Sequence, residues 1–263
     1  MLIMGFDKAD FRSVVNLWRM NLADRYLGSA LGTAWALLNP LLMFAVYTFV
    51  FGYVFKARLP GADSTLGYSI WLICGYGPWL ANTEALTASS YSIISNAGLV
   101  KNMSFKTELL PIAATLLGLV PLLVSIVFLL GLQLCAGDGW RWSLVCLPLV
   151  ILVQFLFLLA FGVMIAAITT FVRDAGIILP NLLMIILFAT PIFYPIESMP
   201  SVVQGLMSIN PVYIIASAYR ASLIGPQPIP FVPLLIVAFI SLCCLSLALV
   251  GFRRVKMHFS AVV

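Results

Sequence analysis

Apolar residues along this chain come in long uncharged runs, not in the strict alternation of a half-buried strand or the single stripe of a soluble helix. A helix needs about 20 mostly apolar residues to cross about 30 Å of hydrocarbon. Residues 33–55, 67–90, 109–135, 143–171, 176–194 and 229–252 approach or exceed that length, which predicts six transmembrane helices. Two stretches break the pattern. Residues 6–27 are too polar to span, yet Phe11, Val14, Val15, Trp18, Leu22 and Tyr26 fall at helical spacing, with Arg12, Asn16 and Arg19 away from them. A helix so patterned is expected to lie in the membrane interface with its apolar side down. The chain from Pro191 to Pro230 is apolar but interrupted by Pro195, Pro200, Pro211, Pro226 and Pro228. Two short helical pieces fit between these breaks, about Ser201 to Ser208 and Val212 to Leu223. Non-helical backbone at membrane depth persists only where protein or a water-filled cavity satisfies it, so 195–228 is expected to form a re-entrant hairpin from the outer face. The expected fold is an all-α integral membrane protein, with residues 1–263 forming a single transmembrane domain.

Composition agrees with that pattern. The 263 residues are 63% hydrophobic and 9% charged, with mean hydropathy +1.11, where a soluble domain is about 45–50% apolar and about 25% charged. These values exclude an ordinary soluble enzyme, a disulfide scaffold and a disordered chain. The few charges then orient the spans. With the N-terminus inside, the inner segments carry Lys8, Arg12, Arg19, Arg25, Lys101, Lys106, Arg173, Arg253, Arg254 and Lys256, and the outer ones Lys56, Arg58, Arg141 and Arg220. Ten bases against four predict that both termini are cytoplasmic. Trp35, Trp71, Trp79, Trp140 and Trp142 bracket the spans, as an interfacial belt does. Cys74, Cys135, Cys146, Cys243 and Cys244 all lie in or beside apolar runs and are expected to pack as small hydrophobes. Acidic residues among the first bases, with no apolar run following, argue against a signal peptide.

Chemistry is scarce. The one histidine, His258, stands near the C-terminus, and Glu84 is the one acid inside an expected span. Neither metal-ligand spacing nor a glycine-rich phosphate loop ending in Lys-Ser or Lys-Thr is present, so catalytic and metal sites are expected to be absent and any ATP to be hydrolysed on another chain. A carboxylate at the centre of a span costs about 2.5–3.5 kcal/mol on insertion scales. Glu84 therefore either faces a substrate path or is held by a neighbouring helix. Phe44, Tyr47, Phe51, Phe188, Phe193 and Tyr194 lie deep in, or at the outer mouth of, the first and fifth spans. Rings facing a channel hold the C–H faces of sugars weakly enough for a polymer to enter and leave. Between the second and third spans, the basic and amphipathic loop 96–108 offers Leu99, Val100 or Phe105 as an apolar tip for a partner's groove.

With those segments placed, the ordered motifs carry a resemblance. Arg25-Tyr26-Leu27-Gly28-Ser29-Ala30-Leu31-Gly32-Thr33-Ala34-Trp35 runs into Leu38-Asn39-Pro40; Gly98-Leu99-Val100-Lys101 and Phe105-Lys106-Thr107-Glu108-Leu109-Leu110-Pro111 follow; then come Phe171-Val172-Arg173-Asp174, Pro191-Ile192-Phe193-Tyr194, Asn210-Pro211 and Tyr219-Arg220. Over nearly the whole chain this order resembles the permease subunit of type-2 ABC polysaccharide exporters, which handle O-antigen, capsule and teichoic acid chains. One departure is Phe105-Lys106, where such permeases often carry Phe-Pro before the basic residue.

The resemblance implies a homodimer in the bacterial inner membrane, served by two separate ATP-binding subunits that carry ATP and magnesium. It implies a polyprenyl-linked polysaccharide as cargo and a channel at the dimer interface lined by the first and fifth spans. Phe44, Tyr47, Phe51, Glu84, Phe188, Phe193 and Tyr194 would face that path. Leu99, Val100, Lys101, Phe105 and Lys106 would couple to the ATP-binding subunit, and 195–228 would gate the outer mouth. Arg12, Trp18, Arg19 and Arg25 would meet pyrophosphate or anionic lipid. A type-2 ABC permease for a drug or lipid is the alternative. An intramembrane transferase fails for want of acid/base or metal groups, and a secondary transporter has only Glu84 at depth.

Overall fold

The computed structural model describes residues 7–56, 65–101, 105–135, 141–225 and 228–259; Arg58, Trp140 and residues 102–104 of the loop lie outside them. Every regular element among the described residues is helical. The first is α1 (Lys8–Asp24), whose start is fixed by a reciprocal capping box. The Asp7 carboxylate accepts from the Asp10 N–H at 2.9 Å and the Asp10 carboxylate from the Asp7 N–H at 2.8 Å. After a connector with positive φ at Gly28 and Gly32, α2 (Trp35–Tyr47) continues through a π-helical stretch, Thr48–Val54.

Beyond it come α3 (Thr65–Tyr91), α4 (Ala97–Val100) and α5 (Leu109–Thr115). A short 3-10 turn, Leu116–Gly118, joins α5 to α6 (Leu119–Cys135). Then follow α7 (Leu147–Phe171), α8 (Asp174–Ala189), α9 (Ser201–Met207), α10 (Pro211–Leu223) and α11 (Phe231–Val255).

Among the described residues, four continuous helical runs are long and apolar enough to cross a membrane: Gly32–Val54, Leu109–Cys135, Trp142–Phe171 and Phe231–His258. The bent pair α9–α10, turning by 83°, brings the number to five if it counts as one span. The protein is thus a multi-pass helical membrane protein. The remaining two expected spans appear as helices of different character. Helix α3 has ample length at 27 residues but is less apolar. Helix α8 has 16 residues, or about 24 Å at 1.5 Å per residue. It stops at Ala189 rather than reaching Tyr194, because the residue preceding a proline is pushed out of the helical region. Thr190, before Pro191, is extended at φ −90° and ψ 138°.

Helix α3 is the central post, packing on α5, α6, α7 and α10, while α7 lies along α11. Without a hydrophobic force between helices in lipid, close approach over small residues has to hold such a bundle. Gly118 supplies that approach: a Cβ there would stand 2.6 Å from the Ala81 carbonyl oxygen and 3.0 Å from the Ala85 Cβ. A buried polar chain adds direction. Tyr219 Oη donates to Gln154 Oε1 at 2.6 Å, and Gln154 Nε2 donates to Asn82 Oδ1 at 2.7 Å and to the Pro78 carbonyl at 2.9 Å. It fastens α10 to α7 and α3, so α10 is integral to the bundle.

Candidate transport path and coupling surface

Three of the aromatic residues expected along a path, Tyr47, Phe51 and Phe188, gather around the ring of a fourth, Phe193. Phe193 stacks on Phe51 at 4.8 Å between centroids with a 4° interplanar angle, and on Tyr47 at 4.7 Å. Tyr76 lies 5.5 Å and Phe188 5.7 Å from the same ring. The arrangement joins the π-helical end of the first span, α3, and the break after α8. Within one chain the set divides by exposure. Phe44 and Phe193 are 2% and 1% exposed and belong to the chain's own core, whereas Tyr47, Phe51 and Tyr194 are half-buried and Phe188 is 48% exposed. Fully buried rings present no surface to a passing sugar in the single chain; Phe188 and the edges of Tyr47 and Phe51 do.

The backbone beside these rings is held by groups from α3 and from α10 and its N-cap. Arg220, on α10, donates Nη1 to the Pro191 carbonyl at 3.2 Å and Nη2 to the Ile192 carbonyl at 2.8 Å, and its guanidinium lies 3.7 Å above the Trp71 ring. Tyr68 Oη donates to the Phe193 carbonyl at 2.7 Å, and Asn210 Nδ2 donates to Thr190 Oγ1 at 3.2 Å. Carbonyls released by the end of α8 would otherwise be orphaned. Sequence reasoning placed Arg220 among outer loop bases. The signal it passed over was an arginine on an otherwise buried helix opposite Trp71 and Gly75, four apart on α3. A Cβ at Gly75 would come 2.6 Å from Arg220 Nη2.

Glu84 is not alone at depth. Its carboxylate pairs with the Arg25 guanidinium just after α1, beside a cavity of about 30 Å³ lined by Leu22, Tyr26, Trp35, Asn39, Pro40 and Pro121 among others. A space of that size holds about two waters. Arg25, expected at pyrophosphate or lipid, thus has a carboxylate partner within the chain, while Arg12 and Arg19 are exposed.

The face of α1 that packs on the protein is also not the expected stripe. Asp10, Val14 and Leu17 are buried against α5, while Phe11 is 62% exposed. At 3.6 residues per turn the packed face is rotated by about a quarter turn from the expected stripe. Two polar anchors hold α1 there, of which only the first lies off the stripe. Lys106 Nζ pairs with Asp10 Oδ2 at 2.6 Å, and Trp18 Nε1 donates at 3.2 Å to the carbonyl of Leu116, in the 3-10 turn below α6. The apolar tip expected on loop 96–108 is likewise turned inward: Val100 is buried in a core shared with Val14 and Leu17, and Leu99 and Phe105 pack against it. Lys101 is exposed.

The family profile for ABC-2 type transporters matches residues 12–224. The chain belongs to the ABC-2 type transporter family. It is similar to the O-antigen export system permease protein RfbA of Myxococcus xanthus, with 29% identity over 210 residues covering 79% of this chain and 78% of that protein. To a Klebsiella pneumoniae protein of the same description it is 24% identical over 260 residues, 96% of this chain and 95% of the relative. The family expected from the ordered motifs is therefore the one found.

In this ABC-2 permease the Asp10–Lys106 pair gives a pH expectation. The lysine's hydrogen bond, with the Asp7 backbone N–H, holds the Asp10 carboxyl below its ordinary 3.8, and the same bond holds Lys106 above its ordinary 10.5. A depressed carboxyl contributes fully above 3.8 and loses its share as pH falls through its lower folded value; a raised lysine loses its share only as pH rises past a value above 10.5. Docking of α1, followed by limited proteolysis at Arg19 and Arg25, is expected to be flat from about pH 5 to about pH 9. Throughout that range it should be weaker in Asp10→Asn; proteolysis of that variant at the wild-type rate would remove the pair as an anchor.

Proposed function

We propose that this chain is the transmembrane subunit of an ATP-driven exporter that carries a polyprenyl-linked, O-antigen-like polysaccharide across the bacterial inner membrane. The observation that carries this reading is similarity over 96% of the chain to a permease described as part of an O-antigen export system. Residues 1–263 form a single permease domain with six spans, both termini in the cytoplasm, and α9–α10 as a re-entrant outer gate. Two copies form a homodimer over two ATP-binding subunits, which hold ATP and magnesium.

The exposed apolar faces of the two path helices support that pairing. Val46, Phe49 and Tyr53 in the first span, and Ile178, Ile185 and Phe188 on α8, have no cover within one chain. Moving a hydroxyl-rich chain through hydrocarbon without hydrogen bonds costs several kcal/mol per polar group, so a lined path is required. Phe44 and Phe193 back the rings that Tyr47, Phe51, Phe188 and Tyr194 turn to the cargo. Glu84 and Arg25 sit at the inner entry, with Arg12, Trp18 and Arg19 at the membrane surface. Leu99, Val100, Lys101, Phe105 and Lys106 form the coupling element, Lys101 presenting its charge and the others shaping the surface from beneath.

The reading is tested by co-expressing the chain with an ATP-binding protein encoded beside it, purifying the pair and loading proteoliposomes with lipid-linked polysaccharide. ATP-dependent movement is expected, with intracellular polymer accumulating when the permease is deleted. Transport by the chain alone on an ion gradient would end the ABC reading; normal surface polysaccharide with altered drug tolerance on deletion would favour a drug or lipid cargo.

A further inference from the structure

Residues 106–108 join the two ends of the chain. Lys106 reaches α1 through Asp10, as described above, and Glu108 reaches the far end of α11. The Glu108 carboxylate, 3% exposed, takes Arg253 Nε at 3.1 Å on one oxygen and Lys256 Nζ at 3.4 Å on the other. Glu108 is the N-cap of α5, where a carboxylate would ordinarily serve the unpaired N–H groups of its own helix, yet its side chain makes no such bond. It is turned instead toward partners 145 and 148 residues away. A carboxylate so buried is costly unless paired, so the contact to α11 is strongly specified.

Apolar packing follows the same route. Val14 and Leu17 of α1, Val100 of α4, Leu109 of α5 and Phe252 of α11 share one core. Phe259, wholly buried, closes it with its ring 5.1 Å from Phe252 and 5.5 Å from Phe171. The element expected to meet the ATP-binding subunit and the last turns of α11 are therefore one mechanical unit, and α11 runs along α7 through the bundle.

We propose that Glu108 is a positioning residue for energy coupling: through Arg253 and Lys256 it makes the C-terminal end of α11 move with α4 and residues 105–108 when the ATP-binding subunit acts. This rests on the function proposed above. In proteoliposomes holding the full complex, Arg253→Gln/Lys256→Gln is expected to lower polymer moved per ATP hydrolysed by about fivefold or more, within the ordinary range of coupling between sites. Assembly and ATP hydrolysis should stay near wild type in Glu108→Gln and in the triple variant, where the basic side chains, more than a third exposed, stay hydrated or are removed and no buried carboxylate is left unpaired. Glu108→Gln should give the same loss, and the triple variant no more, because all three break one contact.

An unchanged ratio in Glu108→Gln overturns the proposal, and the triple variant decides the matter if the double variant fails to assemble. A second measurement does not depend on cargo. Binding of the ATP-binding subunit should slow amide exchange in both 97–101 and 252–258 of the wild type, and only in 97–101 of the double variant. Protection confined to 97–101 in the wild type overturns the proposal whatever is transported; failure of the wild-type complex to move polysaccharide, with both segments protected, counts against the proposed function and leaves the mechanical link supported.

Discussion

Arg220→Ala is expected to cause the largest loss of stability of any single substitution considered. The guanidinium supplies the hydrogen bonds to the Pro191 and Ile192 carbonyls and stacks on Trp71. Removing it leaves two buried acceptors without donors, each costing about 1–3 kcal/mol. It also removes a desolvated cation–π contact of about 2 kcal/mol. Relief from burying a charge that forms no ion pair among the described residues offsets part of this, leaving a net loss of about 3 kcal/mol. At about 2–4 °C per kcal/mol for a chain of this size, the melting temperature in detergent should fall by about 6–12 °C. Arg220→Lys should fall between, because an ammonium has no planar face for Trp71 and cannot reach both carbonyls with a fixed fork.

Gly75→Ala should act through the same group, since its Cβ would displace Nη2. Combined with Arg220→Ala it should therefore cost little more than Arg220→Ala alone. An Arg220→Ala protein melting with the wild type would mean that the 190–193 break is held by Tyr68 and Asn210 without it. On the proposed function, the same variant should lose polymer export, because Phe193 and Tyr194 ride on that backbone.

The second large effect is expected at Gly118. The atom that a new Cβ would meet first is backbone, the Ala81 carbonyl oxygen at 2.6 Å, so no rotamer change relieves the contact. Gly118→Val has to push the 116–118 turn away from α3, and overpacking of this kind costs about 1–3 kcal/mol. The displacement should reach α1, because Trp18 Nε1 binds the Leu116 carbonyl two residues before. The expected results are a lower melting temperature and faster proteolysis at Arg19 and Arg25. Serine at 118 should be milder than valine, having no second branch against Ala85. A Gly118→Val protein as stable as wild type would show that α3 and the turn separate without penalty.

The helical character and most boundaries were legible because membrane residence writes them into hydropathy. The run 109–135 appeared as one continuous helix built from α5, a 3-10 turn and α6, and the two short helices after α8 formed where the proline spacing placed them. The end of α8 was misplaced by five residues because apolarity continues through Pro191-Ile192-Phe193-Tyr194 while helicity cannot. The face of α1 that packs on the protein was not legible, for a related reason. Periodicity ranks side chains by hydropathy, and Asp10 is buried not for apolarity but because Lys106, 96 residues away, meets it.

At the candidate site the sequence located the aromatic residues but not their division into buried and presented rings, which depends on helix rotation. Ion pairs between distant elements left no local mark at all. Glu84 with Arg25 and Glu108 with Arg253 and Lys256 join residues whose separations carry no periodic signal.

By itself, then, the sequence determined a charge-poor helical membrane protein, the place of its helices and proline breaks, and, through its ordered motifs, its family. Only the tertiary structure decided which face each helix buries, that Arg220 secures the break after α8, and that residues 106–108 bind both chain ends. The reason is physical. Solvation by lipid acts on each segment separately and can be read along the chain, whereas a buried polar group is satisfied by whatever partner the packing brings within hydrogen-bond distance.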